Sequence, residues 1–185
     1  MAKVYQLKIS LKSTKPKIWR RIQIPEHYTF FDLHYAIISA MGWKNQHQHQ
    51  YKHKNRYTGR LTHIGRPLSG TWNETLDENR LTVAGWFSVE NPKIIYEYDF
   101  ADSWEHDVVL EKILDSDGGQ YPRCLGGRRA CPPENCGGTD GLGVLLIKLG
   151  NPNHAGRNFA IHWLEMCGYQ NYNPTIFDKQ AVIFS

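Results

Sequence analysis

Side chains able to do chemistry are densest between residues 94 and 138 of this 185-residue chain. Asp99, Asp102, Glu105 and His106 share one eight-residue window, a density that suits acid–base catalysis or a hard cation. Within it, Asp102 could orient His106 as a base. Cys124, Cys131 and Cys136 follow at C-x6-C-x4-C, and with His106 they make a thiolate and imidazole set suited to zinc. That spacing is not the C-x2-C knuckle of structural zinc sites. A second pair, His47 and His49, stands at i and i+2 in QHQHQYKH. On a strand both rings leave the same face and could share a metal, given a third ligand from elsewhere. Turn-forming acids, buried thiols and a polar strand face explain the same residues without chemistry. No phosphate loop, nucleophile elbow or H-E-x-x-H accompanies them.

Binding is the other chemistry on offer. The net charge of +4 hides an asymmetry: residues 1–66 hold 13 of the 22 Lys and Arg against two acids, and the remainder is acidic. Trp19, Arg20, Arg21, Lys52, Lys54, Arg56 and Arg60, joined by Arg128 and Arg129 of the glycine-rich loop, could form a basic, aromatic-lined surface. Such a surface positions phosphates and stacks on bases. The same asymmetry also arises when basic and acidic parts face each other.

The elements that must position these groups read as a mixed fold. Tyr5, Leu7, Ile9 and Leu11 alternate with polar residues, and Ile18, Ile22 and Ile24 resume the pattern after a turn, as in an antiparallel hairpin. Trp19 and Arg21 should then share the face opposite Ile18 and Ile22. Thr29 with Asp32 predicts a capped helix carrying Leu33, Ile37, Ala40 and Met41, ended by Gly42. The histidine-rich strand follows. Residues 54–80 read as an irregular connection long enough to hide a short strand. Residues 94–100 and 106–113 form a strand pair around the acidic corner. Two helices follow, one through Leu142, Leu145 and Leu149 and one through Phe159, Trp163 and Met166. Hydrophobic residues at 41% and charged residues at 22% are ordinary for a soluble globular protein. The amino terminus alternates instead of forming a signal peptide, and no run approaches the roughly 18 apolar residues of a spanning helix. A cytoplasmic location without membrane attachment is expected, and with it thiols in place of disulfides.

The segments IWRRIQIP, FFDLHYAIISAMGW with the histidine-rich strand after it, YEYDFADSWEH, YPRCLGGRRACPPENCGG and NPNHAGRNFAIHWL together resemble the plasmid pRiA4b ORF-3-like family over residues 3–183. The resemblance implies an α+β fold of ubiquitin-like, β-grasp flavour. For some members it implies a setting on plasmids or beside transposable elements. It carries over no catalytic residues. Two departures stand out. The family's Asp-Phe-Gly-Asp has Ala101 here, a strained choice if that position needs positive φ. The family's Cys-Pro-Pro-Glu-Asp ends in Asn135, so one carboxylate is lost.

The expected architecture is one α+β domain over residues 1–185: a mixed or antiparallel sheet with a ββαβ, β-grasp-like beginning, then C-terminal helices. The favoured function is a non-catalytic interaction module for a nucleic-acid or protein partner, linked to mobile elements. The alternative is a metal-dependent, hydrolase-like enzyme, zinc being the candidate cofactor, built on the Asp99–His106 corner and the Cys124–Cys136 loop.

Overall fold

The computed structural model describes residues 2–67 and 75–184. Its strands are β1 (Lys3–Leu11), β2 (Trp19–Pro25), β3 (His49–Lys54), β4 (Leu61–Gly65), β5 (Thr75–Asp77), β6 (Lys93–Tyr98), β7 (Trp104–Asp115) and β8 (Arg123–Arg128). They form one sheet in the order β5-β4-β3-β6-β7-β1-β2-β8, antiparallel throughout except where β4 meets β5. The helices are α1 (Phe30–Met41), α2 (Gly138–Gly150) and α3 (Arg157–Met166). None among the described residues is long and apolar enough to cross a membrane.

Hairpin, helix and strand follow in the expected order. The pairing around them differs from a simple ββαβ unit: β7, not β3, is the second neighbour of β1, and β3 lies between β4 and β6. Two short polar strands, β4 and β5, emerge inside residues 54–80, and the cysteine-bearing β8 completes the far edge beside β2.

One face of the sheet carries the core. Strand alternation delivers Leu7, Ile9, Ile22, Tyr51, Tyr96, Tyr98, Trp104, His106 and Val108 to it, and α1 covers it with Phe30, Leu33 and Ile37. The helix begins in a full capping box, Thr29 with Asp32, and ends at Gly42 in the left-handed conformation (φ 95°). The opposite face is laced with ion pairs: Lys52 with Glu97 and Glu105, Lys12 with Glu105, and Arg21 with Glu111.

The same period corrects one grouping. Arg20 shares the Ile22 face and is 1% exposed, so it is no surface cation. Its Nε donates to Ala40 O at the carbonyl-rich end of α1, and its guanidinium lies 3.8 Å from the Phe177 ring. Trp19 and Arg21 do share the outer face, with Arg21 gripping Glu111 through two hydrogen bonds.

Candidate metal centre

Three distant segments meet beyond the ends of β3 and β6. The first is the turn entering β3, which carries His47. The second is the acidic corner after β6, which begins with Asp99. Asp99 adopts φ 57°, a left-handed conformation that short polar side chains tolerate, and its amide donates to Gln48 O. Its Oδ1 closes the corner by accepting from the amides of Ala101 and Asp102. The third segment is the Pro-Pro-Glu turn after β8. Trp43 stacks on Tyr98 and donates its indole N–H to Pro132 O, which holds that turn against the sheet.

His47 Nε2 lies 3.5 Å from Asp99 Oδ2 and 3.5 Å from Glu134 Oε2. Ligand atoms of the three residues all lie within 4.8 Å of one another, and no other His, Cys, Asp and Glu group among the described residues converges this way. Donors bound to one ion at about 2.1 Å stand about 3.0–3.4 Å apart, in octahedral and tetrahedral geometry respectively. The two spacings from His47 are long for hydrogen bonds and close to what a shared ion imposes.

Burial strengthens the case. Asp99 and Glu134 are each 3% exposed, yet Glu134 Oε2 and His47 Nε2 have no hydrogen-bond partner among the described residues. Buried orphans of this kind call for an explanation, an ion being one. The remaining oxygen of Glu134 is anchored: Oε1 accepts from the Lys44 amide at 2.9 Å and from Tyr98 OH at 3.0 Å. Burial, and then the charge of Glu134, push the Tyr98 phenol well above its usual range, so it stays a proton donor.

His47 also lines a cleft of about 610 Å³, together with Gln46, His49, Gln50, His63 and Arg66. His49 Nε2 bonds Glu78 Oε2 at 2.6 Å, and its ring stacks flat on His34 at 3.5 Å. Burial, and then the neighbouring His49, lower His34 to about 3, so it is a neutral ring, held by Tyr96 OH and Asn45 Oδ1.

The other residues singled out from sequence are dispersed. Alternation along β7 sends His106 into the core and Glu105 to the ion-paired face. Burial lowers His106 to about 4, and its Nδ1 faces Tyr96 O, not Asp102. Asp102 instead accepts from the Gly137 amide, tying the corner to the start of α2. Cys124, Cys131 and Cys136 are half-buried free thiols that do not converge with His106. Burial raises all three, Cys136 to about 12, which keeps them protonated. His47 and His49 diverge, one ring to Asp99 and Glu134, the other to Glu78. Among the basic residues, Lys52 is paired with two glutamates, and Lys54, Arg56 and Arg60 are exposed on the β3–β4 hairpin. Arg128 and Arg129 lie at the β8 edge, five strand spacings or about 24 Å away. Glu134 was not singled out from sequence as a ligand; its signal was the lone acid of a rigid Pro-Pro turn.

Residues 3–181 match the family model described as plasmid pRiA4b ORF-3-like protein. The chain is 28% identical over 186 residues to the uncharacterized protein y4hQ of Sinorhizobium fredii, covering all of this chain and 89% of that one. It is also similar to the crystal structure of a protein of unknown function, MM3350 from Methanosarcina mazei Go1. There the TM-score is 0.90 and the identity 39%, over 100% of this chain and 99% of that one.

Proposed function

The chain belongs to the plasmid pRiA4b ORF-3-like family, and we propose that it is a metal-dependent enzyme, hydrolase-like in chemistry, whose divalent ion is held by His47, Asp99 and Glu134. One observation carries this reading: three donor atoms converge, two of them buried and without a partner among the described residues, beside a large cleft lined by histidines, side-chain amides and aromatic rings. A nitrogen and two carboxylate oxygens suit zinc, manganese or iron in the +2 state. Three protein donors leave coordination positions for water, which a bound divalent ion acidifies into a nucleophile. The whole of residues 1–185 is read as one domain serving this site. The cysteines are not needed for it.

Titration of metal-free protein with Zn²⁺ or Mn²⁺ in a calorimeter is expected to show one ion per chain. His47→Ala and Glu134→Gln should each abolish the saturable heat. Saturable binding that survives both changes would place the ion elsewhere and overturn the reading.

The interaction-module reading retains one observation, the exposed Lys54, Arg56 and Arg60 on a single hairpin. With Arg20 buried and Arg21 and Lys52 ion-paired, a nucleic acid would find its phosphate contacts there. Binding to a single-stranded oligonucleotide that falls with salt and is lost in Arg56→Ala/Arg60→Ala supports it; salt-independent binding removes it.

A further inference from the structure

The cleft beside the metal centre has an uneven charge inventory. Glu78 is the only carboxylate among its described lining residues. It is 2% exposed, and its Oε2 is taken by His49. Among the described residues, what the cleft presents to a ligand is the guanidinium of Arg66, imidazoles, and the side-chain amides of Asn45, Gln46 and Gln48, the Gln50 amide being bonded to Glu97 and His63. That lining favours an anion.

Shape narrows the class. One wall is aromatic, formed by Phe31 and Tyr35 from α1, whose rings meet edge to face at 4.9 Å; the exposed Phe100 next to Asp99 also lines the cleft. A volume of about 610 Å³ exceeds what inorganic phosphate or a small carboxylate needs and falls in the range of drug-sized ligands. A tetrahedral oxyanion has enough oxygens to reach a metal ion and a guanidinium together, which a carboxylate does less readily. We propose that this cleft binds an aromatic phosphate ester, its phosphoryl group between the His47–Asp99–Glu134 ion and Arg66, its ring against Phe31 and Tyr35. The proposal rests on the metal centre described above and adds the chemical class of its ligand.

The test uses Mn²⁺-loaded protein and follows ³¹P relaxation of inorganic phosphate and of phenyl phosphate. Both signals should broaden saturably, with phenyl phosphate bound about fivefold more tightly because the aromatic wall adds to it. Arg66→Ala should weaken both about tenfold, the loss of one charge-assisted contact. Tyr35→Ala should erase the preference for phenyl phosphate and leave inorganic phosphate unchanged. Mn²⁺ bound at one per chain with no saturable ³¹P broadening overturns the ligand class alone. Benzoate displacing phenyl phosphate at equal concentration does the same. Absence of Mn²⁺ binding overturns the metal centre and the phosphate site with it.

Discussion

Replacing Glu134 with glutamine should invert the usual relation between a buried side chain and stability. In metal-free protein, Glu134 Oε2 is a buried carboxylate oxygen with no partner among the described residues. An unsatisfied buried polar group costs about 1–3 kcal/mol. Glutamine keeps an oxygen for the Lys44 amide and Tyr98 OH, and it places an N–H donor 3.5 Å from His47 Nε2. The metal-free variant should therefore melt as high as the wild type or higher. Metal reverses the order. At a free Zn²⁺ concentration of 100 Kd, the wild type gains about 2.7 kcal/mol. For a chain of this size that is a rise of about 5–11 °C in Tm. The variant, with one of three donors gone, should show none. Thermal unfolding followed by circular dichroism, in chelator and in excess Zn²⁺, reads all four states. Equal Zn²⁺ shifts in both proteins would refute the reasoning, as would a variant that melts well below the wild type in chelator.

Further outcomes follow from other parts of the fold. Tyr98→Phe removes the hydroxyl that positions Glu134, so metal affinity by calorimetry should fall about 10–100-fold while the ion still binds at one per chain. Arg20→Ala strips the C-terminal end of α1 of its donor and the Phe177 stack; urea denaturation should show a loss of about 1–3 kcal/mol from the buried carbonyl left unpaired, against less than about 0.5 kcal/mol for the exposed Lys54→Ala. Gly138 has φ +67°, and a Cβ there would lie 2.8 Å from Asp102 O. Gly138→Ala should therefore cost about 1–3 kcal/mol in urea, whereas Gly143→Ala, with open space around it, should gain about 0.5–1 kcal/mol as a helix-interior glycine replaced. His106 is lowered to about 4 by burial. A depressed histidine stabilises the fold above its unfolded value and loses that contribution as pH falls, so between about pH 6.5 and 5 stability should drop by about 1 kcal/mol per unit on its account, and His106→Phe should flatten the slope by that amount.

Periodicity made the regular elements legible. The β1 alternation, the Thr29–Asp32 cap and the Gly42 terminator each appear where local chemistry predicts them. What escaped was structure whose reason is tertiary. β8 reads RCLGGR, with no alternation and two glycines, and it is a strand because β2 offers it an edge. β4 and β5, five and three residues long, carry too little apolar pattern to stand out from the polar stretch around them. The site follows the same rule. His47 and Asp99 are visible as reactive types, but each was grouped with its sequence neighbours: His49 in one case, Asp102, Glu105 and His106 in the other. The strand period separates such neighbours, sending Glu105 and His106 to opposite faces. Residues 47, 99 and 134 meet only because the corner, the turn and the loop converge in three dimensions.

That convergence changes the weight of the two departures in the central motifs. Ala101 is not among the residues with positive φ; the left-handed positions of the corner are Asp99 and Ser103. Exchanging glycine for alanine at 101 therefore places no strain on the turn that presents Asp99. Asn135 does adopt φ 59°, a conformation that asparagine and aspartate both tolerate, and its side chain is exposed. The carboxylate that meets Asp99 and His47 belongs to Glu134, one residue earlier and buried. Both substitutions fall on the solvent side of the junction and leave the donor set whole. The contacts that hold the junction, Asp102 to the Gly137 amide and Tyr169 OH to the Glu134 amide, fasten the sheet to the helical third at the point where the donors meet. The corner packs closely against α2 at Gly138, and beside that contact Asp99 and Glu134 bring donor atoms within 4.8 Å of each other, two buried carboxylates that a cation between them would reconcile.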